Sequence, residues 1–275
     1  MKNVVFAVLA ILVGFGISIW VIAPYLSDAP TKENVAASEE KSDDKEGLVK
    51  DIAAWREYSK THVDLMSSFR PLDDAGAEIS KSMFLNLLKS GIYMPVHLTT
   101  EKELTFQLQR LPKTTAPKVV KKIKSDAIIA NHYLSMEGRK LPEYTFVDLQ
   151  GKGFNKEDTQ GKLLVLKCWF ITCKVCVEEF PELNELVDAY RGQDVAFVSL
   201  AFDEKEKLQT FLARKEFKYA TIPLQKKYMS KKLKVKQYPT HLIVAEDGTI
   251  LKMVNNVKTL RKELERILPL HSAAN

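Results

Sequence analysis

Cysteine is scarce in this chain of 275 residues: there are three. Three are too few for the disulfide framework that holds small secreted domains together, so the fold must rest on a hydrophobic core. The composition permits one, with 45% hydrophobic and 28% charged residues. Metal ligands are scarce too. A zinc site built on two cysteines needs two more ligands from a second knuckle, and His241 stands alone, so no metal is expected. His97 and His132 are likewise isolated and read as packing or surface histidines. A clustered basic face is also missing. The net charge of +6 is carried mostly by lysines scattered along the chain, a pattern of solvated faces rather than of nucleic-acid binding.

Charge is absent altogether from Val4 to Ala23. At about 1.5 Å rise per residue this apolar run spans roughly 30 Å, the thickness of a bilayer core. A cleaved signal has a shorter apolar region and a small-x-small cleavage site. Here Pro24 follows Ala23 directly and no lipid-attachment cysteine comes after it. Residues 1–23 therefore read as an uncleaved transmembrane anchor. Lys2 precedes the run while Asp28 and Glu33 follow it, which places the body outside the cytoplasm. Residues 24–47 are polar and poor in bulky apolar side chains, so they read as a flexible tether.

Residues 48–140 read as a small α+β region without evident chemistry. Ile52, Trp55 and Tyr58 recur at helical spacing, as do Ile79, Met83, Leu85, Leu87 and Leu88, with Gly91 as a helix stop. IYMPVHL and LTFQLQ form a hairpin around residues 99–103. A helix at 117–136 turns Val119, Val120, Ile123, Ile128 and Ile129 inward.

From 141 to 270 the pattern becomes alternating strand and helix. Strands are expected at 163–170, whose unbroken apolar run suits burial on both faces, and at 195–202. Helices are expected at 177–190, 204–215, 229–233 and 259–268. Residues 240–254 form a hairpin around Asp247-Gly248. Such an order gives an α/β fold with a mixed central sheet covered on both faces.

Two of the three cysteines, Cys173 and Cys176, are spaced Cys-x-x-Cys where a strand feeds a helix. One helical turn puts both thiols on the same side of the helix start. Unpaired N–H groups there stabilise a thiolate, and Lys174 adds a nearby positive charge. Cys173, at the exposed end, is expected to be the nucleophile, and Cys176 the resolving thiol. Cys168, in mid-strand, is expected to be a buried and unreactive packing residue. A peroxidatic cysteine would want a threonine at position 170, which is Phe170.

KCWFITCKVCVEEFPELNEL together with YPTHLIVAEDGTILKMV resembles the TlpA/ResA-like thioredoxins, over about residues 141–268. The resemblance implies a thioredoxin fold and membrane-tethered, extracytoplasmic thiol–disulfide exchange, with the Cys173–Cys176 disulfide and no other cofactor. It implies that Pro239 is a cis proline facing the disulfide, so that Tyr238, Pro239 and Thr240 bind an extended substrate segment. Glu179 matches the glutamate of the family's Glu-Phe-Pro motif, which helps proton transfer at the dithiol; a plain solvent-exposed helix carboxylate is the other reading. Trp169 matches a strand-end aromatic, in packing or in the site. Two positions depart from the pattern. Thr172 stands where many relatives have tryptophan, and Lys167 where thioredoxins proper have a buried aspartate. Lys167 either pairs with Glu179 beneath the disulfide or turns to the sheet edge and extends to water.

The function so implied is reduction of disulfides in exported proteins, with electrons from a membrane donor protein. The location is the bacterial inner membrane, with a single N-terminal span and the body in the periplasm. Cytochrome c maturation is a role the resemblance suggests. Disulfide oxidation or isomerisation is the alternative, and a non-catalytic cell-envelope binding module a third.

Overall fold

The computed structural model describes residues 47–98 and 103–270. The expected anchor, nearly all of the tether and the hairpin tip lie outside the described residues. Among those described, no helix is long and apolar enough to cross a membrane.

The first part of the chain forms α1 (Ile52–His62), β1 (Arg70–Leu72), α2 (Lys81–Ser90), β2 (Tyr93–Leu98), β3 (Thr105–Arg110) and α3 (Pro117–Leu134). Asp51 caps α1 by accepting from Ala53 and Ala54 N–H, which satisfies two donors that a helix start leaves free. The hairpin β2–β3 is antiparallel, and β1, too short to show a period, joins β3 in parallel. Gly91 ends α2 at φ +78°, where an added Cβ would lie 3.0 Å from the Val120 and Lys124 side chains of α3. The helix faces differ from expectation at two positions, since Met83 and Ile128 are half exposed. The buried sets are Phe84, Leu85 and Leu88 on α2, and Val119, Ile123, Ala127, Ala130 and Tyr133 on α3. Each large apolar side chain so buried contributes about 1.5–3 kcal/mol.

The second part begins with the short pair β4 (Phe146–Val147) and β5 (Gly153–Phe154), followed by the single turn α4 (Lys156–Thr159). Then come β6 (Leu163–Trp169), α5 (Lys174–Glu178), α6 (Phe180–Ala189), β7 (Val195–Ala201), α7 (Lys205–Leu212) and β8 (Ala220–Ile222). After a π-helical turn at Tyr228–Lys232, β9 (Thr240–Val244), β10 (Ile250–Val254) and α8 (Val257–Ile267) complete the order. The sheet runs β10-β9-β6-β7-β8. Every residue of β6 is buried, as its apolar run demands. β6 pairs in parallel with β7 and antiparallel with β9, so its C-terminal end opens where the sheet changes direction.

The helix expected at 177–190 is two helices meeting at Glu179. Pro181 has no N–H for the carbonyl of Val177, so the ladder breaks one turn after the cysteines. Glu179, at this junction, is buried. The two parts of the chain share one continuous core, and Tyr133 of α3 hydrogen-bonds Thr240 of β9 at 2.7 Å.

Candidate active site

Cys173 and Cys176 form a disulfide, with S–S 2.03 Å and Cα–Cα 5.3 Å. Cys173 is the N-cap of α5 and half buried, whereas Cys176 is fully buried. The two sulfurs therefore have unequal access, the arrangement that nucleophile and resolving thiol require. Lys174 is 88% exposed and 3.6 Å from Glu178, so its effect on the thiols is largely screened. The loop before the pair is held by backbone and carboxylate together. Phe170 O accepts from Cys173 N at 3.0 Å, and Asp203 Oδ2 accepts from Ile171 N at 2.8 Å. Asp203 follows β7 in the neighbouring crossover, and no motif around it marks it as part of the site.

Behind the disulfide, Trp169 is fully buried, edge-on to Phe180 at 5.0 Å, with its indole N–H donating to Ser199 Oγ at 3.2 Å. It packs in one cluster with Cys176, so its part in the site is packing. Phe170, Phe202 and Tyr238 make an aromatic trio with centroids 4.9–5.5 Å apart. The Tyr238–Pro239 bond is cis. Thr172 is exposed and lines a cavity of about 700 Å³ together with Asp203 and Phe211. Thr240 departs from its expected place at a substrate surface. Its hydroxyl is wholly buried between Tyr133 Oη and Gln237 O, each at 2.7 Å, because alternation along β9 turns it towards α3. Cys168, paired with Thr240 across the ladder, is buried and free, and burial pushes its thiol up to about 12.

The opposite face of the same ladder carries a buried charged group. Lys167 and His241 are direct cross-strand partners on β6 and β9, both fully buried. Glu179 Oε2 accepts from Lys167 Nζ at 2.7 Å and from His241 Nε2 at 3.1 Å, while Oε1 accepts from Val257 N at 2.9 Å. Lys167 thus neither reaches an edge nor extends to water, and Glu179 is no solvent-facing carboxylate. His241, which stands alone in the sequence, is part of the group.

Burial alone would push the Glu179 carboxyl up, but His241 and Lys167 outweigh it and hold it at about 2. Burial lowers His241 below its ordinary value, against the pull of Glu179. An ionised carboxylate only accepts, so Nε2 of His241 carries the proton. Nδ1 has no partner, and an unprotonated nitrogen is the cheaper form to leave there. The histidine is therefore neutral, and Lys167 is the cation that balances Glu179, although burial lowers its pKa as well. A carboxyl at about 2 holds no proton near neutrality. In the disulfide form Glu179 is an anchored anion joining α5, β6, β9 and α8, not an acid ready to donate.

Glu179 also lines a cleft of about 720 Å³, together with Val175 from between the cysteines, Gln237, and Trp55, Ile123 and Ile129 of the first part of the chain. Among the described residues no cluster of histidine, cysteine and carboxylates has the makings of a metal site.

A disulfide at the start of a helix, fed by the central strand of a five-stranded mixed sheet whose antiparallel neighbour follows a cis proline, defines a thioredoxin-fold thiol–disulfide site. The model of the AhpC/TSA family matches residues 138–253. The thioredoxin-like protein YneN of Bacillus subtilis is 30% identical over 137 residues, covering 49% of this chain and 79% of its own. The thiol-disulfide oxidoreductase ResA of Bacillus cereus is 27% identical over 136 residues, covering 48% and 79%. A solved thiol-disulfide oxidoreductase from Bacteroides fragilis is 18% identical with a TM-score of 0.44, covering 47% of this chain and all of that one. The chain belongs to the thioredoxin-like family of ResA-type thiol–disulfide oxidoreductases.

Proposed function

We propose that this oxidoreductase works as a reductase of disulfides in exported proteins, held at the bacterial inner membrane by residues 1–23 with residues 48–270 in the periplasm. The observation that carries the reading is the unequal burial of the two sulfurs at the end of β6. The Cys173 thiolate attacks one sulfur of a substrate disulfide. That S–S bond breaks, a mixed disulfide forms, and the leaving thiolate takes a proton from water. Cys176 then loses its proton and attacks Cys173 Sγ, which releases the substrate as a dithiol and leaves Cys173–Cys176 oxidised. Two electrons have passed to the substrate, and a dithiol of a membrane donor protein returns them. Tyr238, whose ring belongs to the aromatic trio, and Pro239 offer a backbone edge to an extended substrate segment. Keeping haem-attachment cysteines reduced for cytochrome c maturation is one use of such a reductase.

Lys167 supports the oxidase reading as the second one, because its cation lies 5.8 Å over the Phe180 ring that packs with Cys176, and a nearby cation favours thiolates and so the reduced form. Equilibration with glutathione buffers decides between them. A potential near that of thioredoxin supports reduction, and one close to that of the strongest periplasmic oxidants reverses the direction. A Cys176→Ser chain should accumulate mixed disulfides through Cys173. Recovery of no attached protein from the cell envelope would count against the whole scheme.

A further inference from the structure

The lysines that look scattered in the sequence are not evenly matched by acids in the fold. Between Pro223 and Pro239 the chain reads LQKKYMSKKLKVKQY, with six lysines and no acid. All six, Lys226, Lys227, Lys231, Lys232, Lys234 and Lys236, are exposed. None forms an ion pair among the described residues, whereas Lys122, Lys140, Lys207, Lys218 and Lys252 each have a carboxylate within 3.2 Å. The net charge of the whole chain is +6, so this one loop equals the entire excess. Two carboxylates lie close to it and reduce its charge without reversing its sign: Asp203, which accepts from Ile171 N–H, and Glu143, whose charge acts on Tyr228 within the loop.

The loop is also placed at the disulfide. It links β8 to β9 and ends at the cis Tyr238–Pro239 bond. At its start Lys226 Nζ lies 5.5 Å over the Phe202 ring, which packs on Tyr238 and Phe170. Both ends of the loop therefore reach the aromatic trio, whose Phe170 carbonyl holds the Cys173 N–H. Leu224, 64% exposed, adds an apolar contact beside Lys226.

We propose that this band docks a carboxylate-rich polypeptide segment next to the partner's reactive cysteines, so that the oxidoreductase selects acidic protein partners. The proposal rests on the dithiol reading above for its consequence, not for the binding itself. A bilayer lying on the same residues would cover the disulfide, which favours a polypeptide as the occupant. Charge of one sign beside a reactive group raises encounter rates by roughly 10- to 1,000-fold and loses its effect as salt screens it.

The test uses the full chain in neutral detergent and three fluorescent peptides that share one Cys-x-x-Cys disulfide, flanked by aspartates, serines or lysines. Fluorescence anisotropy reports binding to the oxidised chain, and thiol release reports turnover by the reduced chain. The aspartate peptide should bind about 10-fold more tightly than the lysine peptide at low ionic strength, and the difference should vanish near ~1 M salt. The variant K226Q/K236Q should lose most of that preference and still reduce the serine peptide at the wild-type rate. Equal binding of the three peptides overturns the proposal, as does a preference retained when all six lysines are glutamine. Phosphatidylglycerol vesicles that shield Cys173 from iodoacetamide in the wild type but not in the variant, with equal peptide binding, would make the band a lipid surface and refute it. Failure to reduce even the serine peptide counts against the dithiol reading alone, because binding judges the band without it.

Discussion

Replacing Lys167 with methionine keeps the length and bulk of the side chain and removes its charge. Glu179 would then be left with the neutral His241 Nε2–H and the Val257 N–H, in a place that is 7% exposed. In the native group the carboxyl is held at about 2, below an ordinary 4.5, so its ionised form contributes to stability. Because the folded value is depressed, that contribution is complete above pH 4.5 and is lost as pH falls through about 2. Without Lys167 one of the two groups that hold it down is gone and the carboxyl rises from about 2, so part of the variant's deficit is recovered as pH falls and Glu179 or His241 takes up a proton. Stranding one member of a buried pair costs about 3–5 kcal/mol. Urea unfolding of the disulfide form should show a deficit of that size at pH 7, narrowing steadily towards pH 4.5. Adding Glu179→Gln should recover most of the loss, because no buried charge then remains and contacting charges are non-additive. A deficit under about 1 kcal/mol at pH 7, or one that stays constant with pH, would refute the assignment of Lys167 as the balancing cation.

The same Lys167→Met chain, equilibrated with glutathione, should be a better reductant than the wild type; an unchanged potential would show that the lysine does not reach the thiolates. In the reduced protein Cys173 should be alkylated by iodoacetamide well before Cys176, and faster labelling of Cys176→Ser-sensitive thiol near neutral pH would reverse their roles. Cys168, with its thiol pushed up to about 12, should stay unlabelled until the chain unfolds, and Cys168→Ala should retain turnover of insulin disulfides. Asp203→Asn weakens a charge-assisted bond to Ile171 N–H, so it should cost about 1–2 kcal/mol and slow mixed-disulfide formation more than it alters the potential. An unaffected rate would detach Asp203 from the site.

The chemistry of this protein is local and so is written in the sequence. Cys173 and Cys176 need only one helical turn between them, and the buried strands need only unbroken apolar runs such as 163–169. Pro181 marks the helix break at Glu179, yet the helix is expected to run through it, because period alone does not register a missing N–H. The remaining features depend on strand register and on elements far apart in the chain. His241 joins Lys167 only because β9 pairs with β6 in the register that sets the two side by side, and one residue of slip in β9 would turn His241 to the other face. That same alternation buries Thr240 against Tyr133 of a region with no evident chemistry of its own. The six lysines of 226–236 are close together in the sequence, but that all six are exposed and lack a carboxylate partner among the described residues is decided by the fold. Local spacing determines which groups can react, whereas burial and charge balance are sums over neighbours that only the packed chain brings together.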